Sequence, residues 1–469
     1  MSDPVGRPSE LVLNAYAGGN APVRGGLPET SSRWALRTAP STLERFLKPP
    51  PSANPHDFLD ARVGWAMVVA EQPGFSPEQF ARNEDLCPLL RQLLDKRENG
   101  AVLRYRPSSE HRLTLLRDYA NGKDLDLAGS PIGKTVGAIS RYLLMIGRPT
   151  ADELPWALQY ILALNRNVGR LPFHPLKDEV LLAPYVQACL DDWRDTGADV
   201  HATLVWGVDH GDADISHLLR VAIADEVARK YAGDADLKAK AVHIDAADAT
   251  HGRLREALVD ARPGVVVTTS HGMTGPLSDR ALMAAQLGLP VDRSFQPLPL
   301  AALLAAWQPD GAIWYAHACC AGGADRGSVF TELFSDSPAR QVLQAVGELG
   351  AQVAPLPLAL LSAAKPARAF LGHVEPTFDW TVRQPATGQF LSASLVDSLY
   401  NELFLSAPIG HAFRGWYANA ATHFAAWDEA RRSFDGREAG KAAVLYHTLA
   451  ARDIQTLVLL GDPAVALPP

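Results

Sequence analysis

Two short apolar runs constrain this chain more than anything else in it. Val265, Val266, Val267, Thr268 and Thr269 lead through Ser270 to His271 and Gly272. Ala312, Ile313, Trp314, Tyr315, Ala316, His317 and Ala318 lead to Cys319 and Cys320, with Gly322 and Gly323 just beyond. Each run has the β-branched and aromatic character of a buried strand. Each stops abruptly at a reactive side chain with glycine close behind.

The surrounding sequence sets these strands in an alternating order. Beyond about residue 175, strand patterns at 202–208, 241–244, 265–269, 312–316, 367–371 and 456–460 are separated by helical patterns. Those helices are expected at 215–231, 252–261, 339–349, 391–404 and 412–433. Such alternation predicts an α/β fold, a mostly parallel sheet with helices on both faces. Residues 57–175 read as an accessory α/β subdomain. It has helical spacing at 86–94, 112–119 and 156–163, a strand at 141–147 and an extended piece at 168–171. Residues 1–56 are rich in Pro, Gly, Ser and Ala and read as an irregular arm. The main catalytic-type domain is then 176–469.

Composition narrows the function. With 469 residues, 47% of them hydrophobic, the chain can bury a large core. A net charge of -8 argues against a nucleic-acid partner, which calls for a basic surface. No apolar run approaches the roughly 20 residues that span a bilayer, and the first residues lack a charged-then-apolar leader pattern. The expectation is a cytoplasmic protein without a membrane partner. Four cysteines make no disulfide framework in a chain of this length. Cys87 and Cys189 lie in helical apolar surroundings and read as buried structural thiols. No C-x-x-C spacing is present, so no structural zinc site is expected.

His271 and Cys319 carry the chemistry. A thiolate attacks a carbonyl well near neutral pH, and a neighbouring histidine handles the proton. The oxyanion formed by that attack needs preorganised donors. The N–H groups of Gly272 and Cys319 are the candidates for that oxyanion hole. Glycine after the histidine permits a sharp turn and close approach. Alternation along an extended chain turns Cys320 to the opposite side, which favours Cys319 as the nucleophile.

A histidine and a cysteine delivered in this order, 48 positions apart, form the layout of a caspase-type cysteine protease. Ser270-His271-Gly272 together with Ala318-Cys319-Cys320-Ala321-Gly322 resembles the caspase-like clan of cysteine peptidases. That clan includes caspases, metacaspases, gingipains, separases and bacterial CHAT domains. The Ala-Cys-x-x-Gly order is closest to gingipains and CHAT domains, whereas caspases carry Ala-Cys-x-Gly. Three further segments resemble parts of gingipain-type catalytic regions. They are 142–147 with Leu154 and Pro155, 369–375, and 459–467. The resemblance thus covers about 140–469. His317 stands where caspases have glutamine, which loosens the tie to true caspases.

The resemblance implies a cysteine endopeptidase that needs no cofactor and no metal. Its partner would be a protein or peptide substrate, with room for an activating protein, in bacterial signalling or defence. It also implies that the end of the first sheet strand sets specificity. Asp209 stands there and would pair with a basic side chain, so cleavage after Arg or Lys is expected. Glu375 and Trp380 are placed along the substrate cleft. A caspase-like scaffold that binds partners without cutting is the alternative. Retention of both His271 and Cys319 argues against it.

Two other motifs read as decoys. Gly129, Gly133, Lys134 and Thr135 fit a relaxed phosphate-loop pattern, but residues 123–127 before them are too polar for a central strand. The run Asp209, His210, Asp212, Asp214 with His217 has ligands for a cation. It reads instead as a solvated loop in which Asp214 caps the helix at 215.

Overall fold

The computed structural model describes residues 10–13, 23–26 and 53–468, except 99, 335–336 and 435–436. Within the arm expected over 1–56, β1 (Glu10–Leu13) and β2 (Val23–Gly26) pair antiparallel. The remainder of that arm up to 52 lies outside the described residues. Residues 1–52 and 53–469 are separate units.

The larger unit is built on one sheet. Its strands are β3 (Trp65–Ala70), β4 (Ala101–Tyr105), β5 (Leu115–Asp118), β6 (Lys123–Asp126), β7 (Tyr142–Ile146), β8 (Asn167–Leu171), β9 (Asp199–Gly207), β10 (Ala241–Ile244), β11 (Pro263–Thr269), β12 (Ile313–His317), β15 (Ala369–His373) and β16 (Leu457–Leu460). A separate antiparallel pair is formed by β13 (Gly323–Ala324) and β14 (Gln352–Val353). The spatial order is β10-β9-β11-β12-β15-β16-β8-β7-β3-β4-β5-β6. Pairing is parallel except at β15–β16, β4–β5 and β5–β6. The α/β class read from the sequence is therefore present, as a large, mostly parallel mixed sheet flanked by helices.

Burial explains the strand composition. Val265, Val266, Val267, Ile313, Trp314, Phe370 and Leu371 are at most 1% exposed. Central parallel strands covered on both faces have no solvent side, so they carry no polar alternation. The edge differs: Lys123, Asp124 and Asp126 of β6 point to water while Leu125 points in. Charges on an outer strand discourage pairing with another chain. The stretch too polar for a central strand is thus an edge strand, and no helix follows Lys134.

One expectation is overturned. Residues 112–119 are not helical; Leu115–Asp118 is a strand pairing with both β4 and β6. Only Leu116 and Asp118 point inward, a period of two. Asn121 and Gly122 (φ 65°) turn the chain back into β6. The helix expected over 215–231 is present but interrupted by a π-turn at Arg220–Ala224. The helix Glu438–Thr456, which sequence reading left out, packs on Arg414–Arg432.

The last strand joins the two halves of the sheet. β16 lies between β15 and β8, so the segments 57–175 and 176–469 share one ladder. The turn after it is pinned: buried Asp462 accepts hydrogen bonds from Trp65 Nε1 (3.1 Å) and Arg97 Nη2 (2.9 Å). Asp462→Ala leaves a nearly buried guanidinium and an indole N–H unpaired, and is expected to lower the unfolding free energy by about 3 kcal/mol. Urea titration of the two proteins reads this directly.

Candidate active site

Four neighbouring parallel strands, β9, β11, β12 and β15, end at the same edge of the sheet. Chain order reverses between β9 and β11, because β10 lies to one side of β9 and β11 to the other. Such a switch point opens a crevice at the carboxyl ends of the strands. The loops that follow these strands carry Asp209–Asp214, His271–Gly272, Cys319 and Thr377–Trp380.

The dyad residues sit at matching positions. Thr269 pairs with His317 in the β11–β12 ladder, and His271 and Cys319 each lie two residues beyond. Gly272 brings the two loops into contact. A Cβ on it would lie 1.8 Å from the Cys319 carbonyl oxygen and 3.0 Å from its nitrogen. Only glycine fits so close an approach. Gly322 is equally confined: its N–H donates to the His373 carbonyl (2.7 Å), and a Cβ would lie 2.6 Å from the Gly372 oxygen. It clamps the cysteine loop to β15.

His271 has a partner that the sequence did not reveal. Its Nε2 lies 2.9 and 3.0 Å from the two carboxylate oxygens of Asp214. Asp214 does cap the helix as expected, accepting from the Ser216 N–H at 2.8 Å. Partial burial pushes its carboxyl up, but hydrogen bonds from Ser216 and His271 outweigh this and hold it below its ordinary value. A neutral His271 therefore carries its proton on Nε2, and Nδ1 is the nitrogen left for chemistry. The His210 ring stacks on His271 with centroids 5.3 Å apart.

Cys319 is half-buried, with its sulfur turned toward the β15 loop. The Thr377 N–H donates to Sγ at 3.4 Å, and Sγ lies 3.9 Å from the Thr377 carbonyl oxygen. Burial raises the thiol to about 11, with the Thr377 N–H opposing the rise. The resting form is thus the thiol, and the proton must leave as attack begins. Cys320 is fully buried in a cluster with Met283, Leu287 and Val346, and has φ 58°.

The loop holding Cys319 rests on a buried carboxylate. Asp453 Oδ2 accepts from Thr377 Oγ1 (3.1 Å), the Phe378 N–H (3.0 Å) and Thr381 Oγ1 (2.8 Å). Asp453 lies on Glu438–Thr456, the helix missed in the sequence. Behind it His373 and His317 are fully buried, their rings 4.9 Å apart, and Tyr315 OH meets His317 Nδ1 at 2.6 Å. Burial drives both imidazoles to the neutral form, His317 to about 3.

The proposed substrate contacts are placed differently. The Asp209 carboxylate is engaged inside the protein, by His217 Nδ1 at 2.8 Å and Arg220 Nε at 3.0 Å. Glu375 is 2% exposed and takes a hydrogen bond from the Ser328 hydroxyl, beneath the cleft rather than along it. Trp380 is partly buried on Phe330, Leu343 and Leu449 and tilts against Tyr446. The open face lies elsewhere. A cavity of ≈ 350 Å³ is lined by Asp212, Asp214, Leu218, Asp379, Arg383 and Phe390, among others. It joins the loop after β9 to the loop after β15, and so reaches Asp214, the partner of His271, and Asp379, next in the chain to Phe378.

Two buried acids make stability depend on pH. Burial raises Glu375 to about 7, with nearby Asp325 adding to the rise and Ser328 opposing it. Burial raises Asp453 to about 7 against its three donors. In the unfolded chain such carboxyls titrate near 4. The folded state therefore holds protons that the unfolded state releases. Their stabilisation is full below about pH 4 and is lost as pH rises to about 7. Urea midpoints across that window are expected to fall less steeply in the Glu375→Gln, Asp453→Asn double variant than in the wild type.

Compared with known proteins, the chain matches no family model and no curated protein.

Proposed function

We propose that this chain is a caspase-like cysteine endopeptidase, closest in kind to the gingipain and CHAT branch. The observation that carries the reading is that His271 and Cys319 stand at equivalent positions beyond adjacent parallel strands, with Gly272 against the cysteine backbone. Strand ends at a switch point are where an α/β sheet presents reactive groups.

The chemistry follows from the geometry. Cys319 Sγ attacks the scissile carbonyl carbon as its proton passes to His271 Nδ1. The carbonyl oxygen becomes an oxyanion held by the Gly272 and Cys319 N–H groups. Collapse breaks the C–N bond, and His271 gives the proton to the departing amine. Water then attacks the thioester, His271 taking its proton, and Cys319 is released as thiol while the new carboxylate leaves. Asp214 fixes the His271 tautomer and steadies the imidazolium, the role of a third group in a nucleophile–base pair.

Cleavage after Arg or Lys remains the expected preference, with a changed basis. Asp209 is already paired with Arg220. The carboxylate most open to a substrate side chain is Asp212 in the same cavity, since Asp379 is paired with Arg383 at 3.5 Å. A basic side chain there would gain a charge-assisted pair. A peptide panel tests both points. Arg- and Lys-ending peptides should be cut faster than Asp-ending ones, and Asp212→Asn should narrow that gap. Faster cutting after Asp would overturn the preference.

One observation favours the scaffold alternative: the Cys319 sulfur is hydrogen-bonded to Thr377, and its pairing partner is not His271. A wild-type protein that cuts no peptide in the panel would support that reading.

A further inference from the structure

We propose that His210, Asp214 and His271 form a zinc-binding site that, when filled, takes His271 out of the dyad. The site itself rests only on the geometry of these three side chains. Its inhibitory consequence rests on the peptidase reading.

The three offer two imidazole nitrogens and a carboxylate oxygen, all within 4.8 Å of one another. His271 Nε2 and Asp214 are already 2.9 Å apart. Ligands of tetrahedral zinc lie roughly 3.3 Å from each other, given metal–ligand bonds of about 2.0 Å. Small side-chain rotations therefore bring the group to that spacing. Two imidazoles with one carboxylate suit zinc rather than calcium or magnesium, which favour all-oxygen shells.

His210 is built as a ligand would be. Its Nε2 lies 3.1 Å from the Asp292 carbonyl oxygen and so carries the proton. That leaves the lone pair on Nδ1, which the Ser216 hydroxyl meets at 3.3 Å and gives up when a metal binds. A metal-binding histidine commonly donates its other N–H to a backbone carbonyl in this way, which fixes tautomer and ring plane. Phe295 stacks on the outer face of His210 with centroids 3.9 Å apart. Phe295 is itself 61% exposed and has φ 59°, an unfavourable backbone conformation for a bulky side chain. Asp214 is held by the Ser216 N–H. Three ligands leave a fourth position for water. Nothing in thiol chemistry requires a second imidazole stacked on the first.

Occupancy has a defined effect on the dyad. Zinc takes the Nε2 lone pair, so the proton of neutral His271 moves to Nδ1. His271 then has no free nitrogen to accept the Cys319 proton. Zinc would thus hold the enzyme silent until a chelator or a stronger ligand removes it.

The test measures metal binding by the full chain, independently of cleavage. Chelator-stripped protein is titrated with Zn²⁺ against a chromogenic chelator. Expected is uptake of one zinc per chain, weakened about tenfold or more by His210→Ala and by Asp214→Asn. His201→Ala, at the far end of β9, should leave it unchanged. Should His210→Ala fail to fold, His210→Phe preserves the stack on Phe295 and removes the ligand. Where peptide cleavage is measurable, Zn²⁺ should inhibit it, a chelator should restore it, and His210→Phe should be less sensitive. Zinc uptake by a chain that cuts no peptide even when chelator-stripped would sink the peptidase reading and leave the site standing. A wild-type chain that takes up no zinc, or binds it equally well after loss of His210, overturns the proposal.

Discussion

Cys319→Ala is expected to abolish peptide cleavage while leaving the fold intact. The sulfur forms the bond to the substrate carbonyl, and no other group in the site can take that place. Loss of a nucleophile that works as a unit with its base typically costs on the order of 10³-fold or more. The structural cost is small, since the residue is half-buried at the margin of the Met283 cluster and its sulfur's hydrogen bonds are the long ones with Thr377. Thermal unfolding should therefore move little. Cys320→Ala behaves in the opposite way. It removes a buried thiol packed among Met283, Leu287 and Val346, so stability falls and the nucleophile survives. Parallel measurements of turnover and melting temperature on the two variants separate chemistry from packing.

Gly272→Ala is the second large effect. The added methyl would stand 1.8 Å from the Cys319 carbonyl oxygen and 2.8 Å from its carbonyl carbon. Ordinary contact lies near 3.4 Å, so the two backbones must part by more than about 1 Å. A displacement of that size at a reacting group costs on the order of 10²-fold in rate. It also moves both proposed oxyanion donors. The loss should fall on kcat, since the donors act on the transition state. Gly233→Ala is a fitting control, because a Cβ there meets nothing within 4 Å. Equal kcat in the two variants would mean that the Gly272–Cys319 approach is not used in catalysis.

The strand ends were legible because burial on both faces leaves a local mark. Residues 265–269 and 313–316 are apolar or β-branched throughout, and both proved to be central strands. Lys123–Asp126 was harder, since an edge strand carries charges that look like loop. The misreading at 112–119 has a related cause: four residues are too few to separate a period of two from one of 3.6. The place of β16 between β15 and β8 leaves no local signature. It is fixed by contacts such as Asp462 with Trp65, 397 positions away.

The site was legible for its reactive atoms and not for what holds them. Asp214 gave a cap signal that its sequence neighbours explain fully. Its second partner, His271, lies 57 positions off. Asp453 did leave a trace. It falls on the stripe of Leu449, Ala450 and Ile454, where one helix face is otherwise buried and apolar. An acid on such a stripe is costly unless paired, and here three donors from the cysteine's support loop pair it. Asp209 and Glu375 show the reverse: their positions after strands suggested substrate contact, but Arg220 and Ser328 already occupy them.

Covalent labelling tests the central claim most directly. The intact wild-type chain is treated with an Arg-ending peptide bearing a thiol-reactive warhead, and the modified residue is located by peptide mapping. Expected is a single adduct on Cys319, retained in Cys320→Ala and lost in both Cys319→Ala and His271→Ala. An adduct that persists at the wild-type rate in Cys319→Ala, or that maps to Cys320, would contradict it.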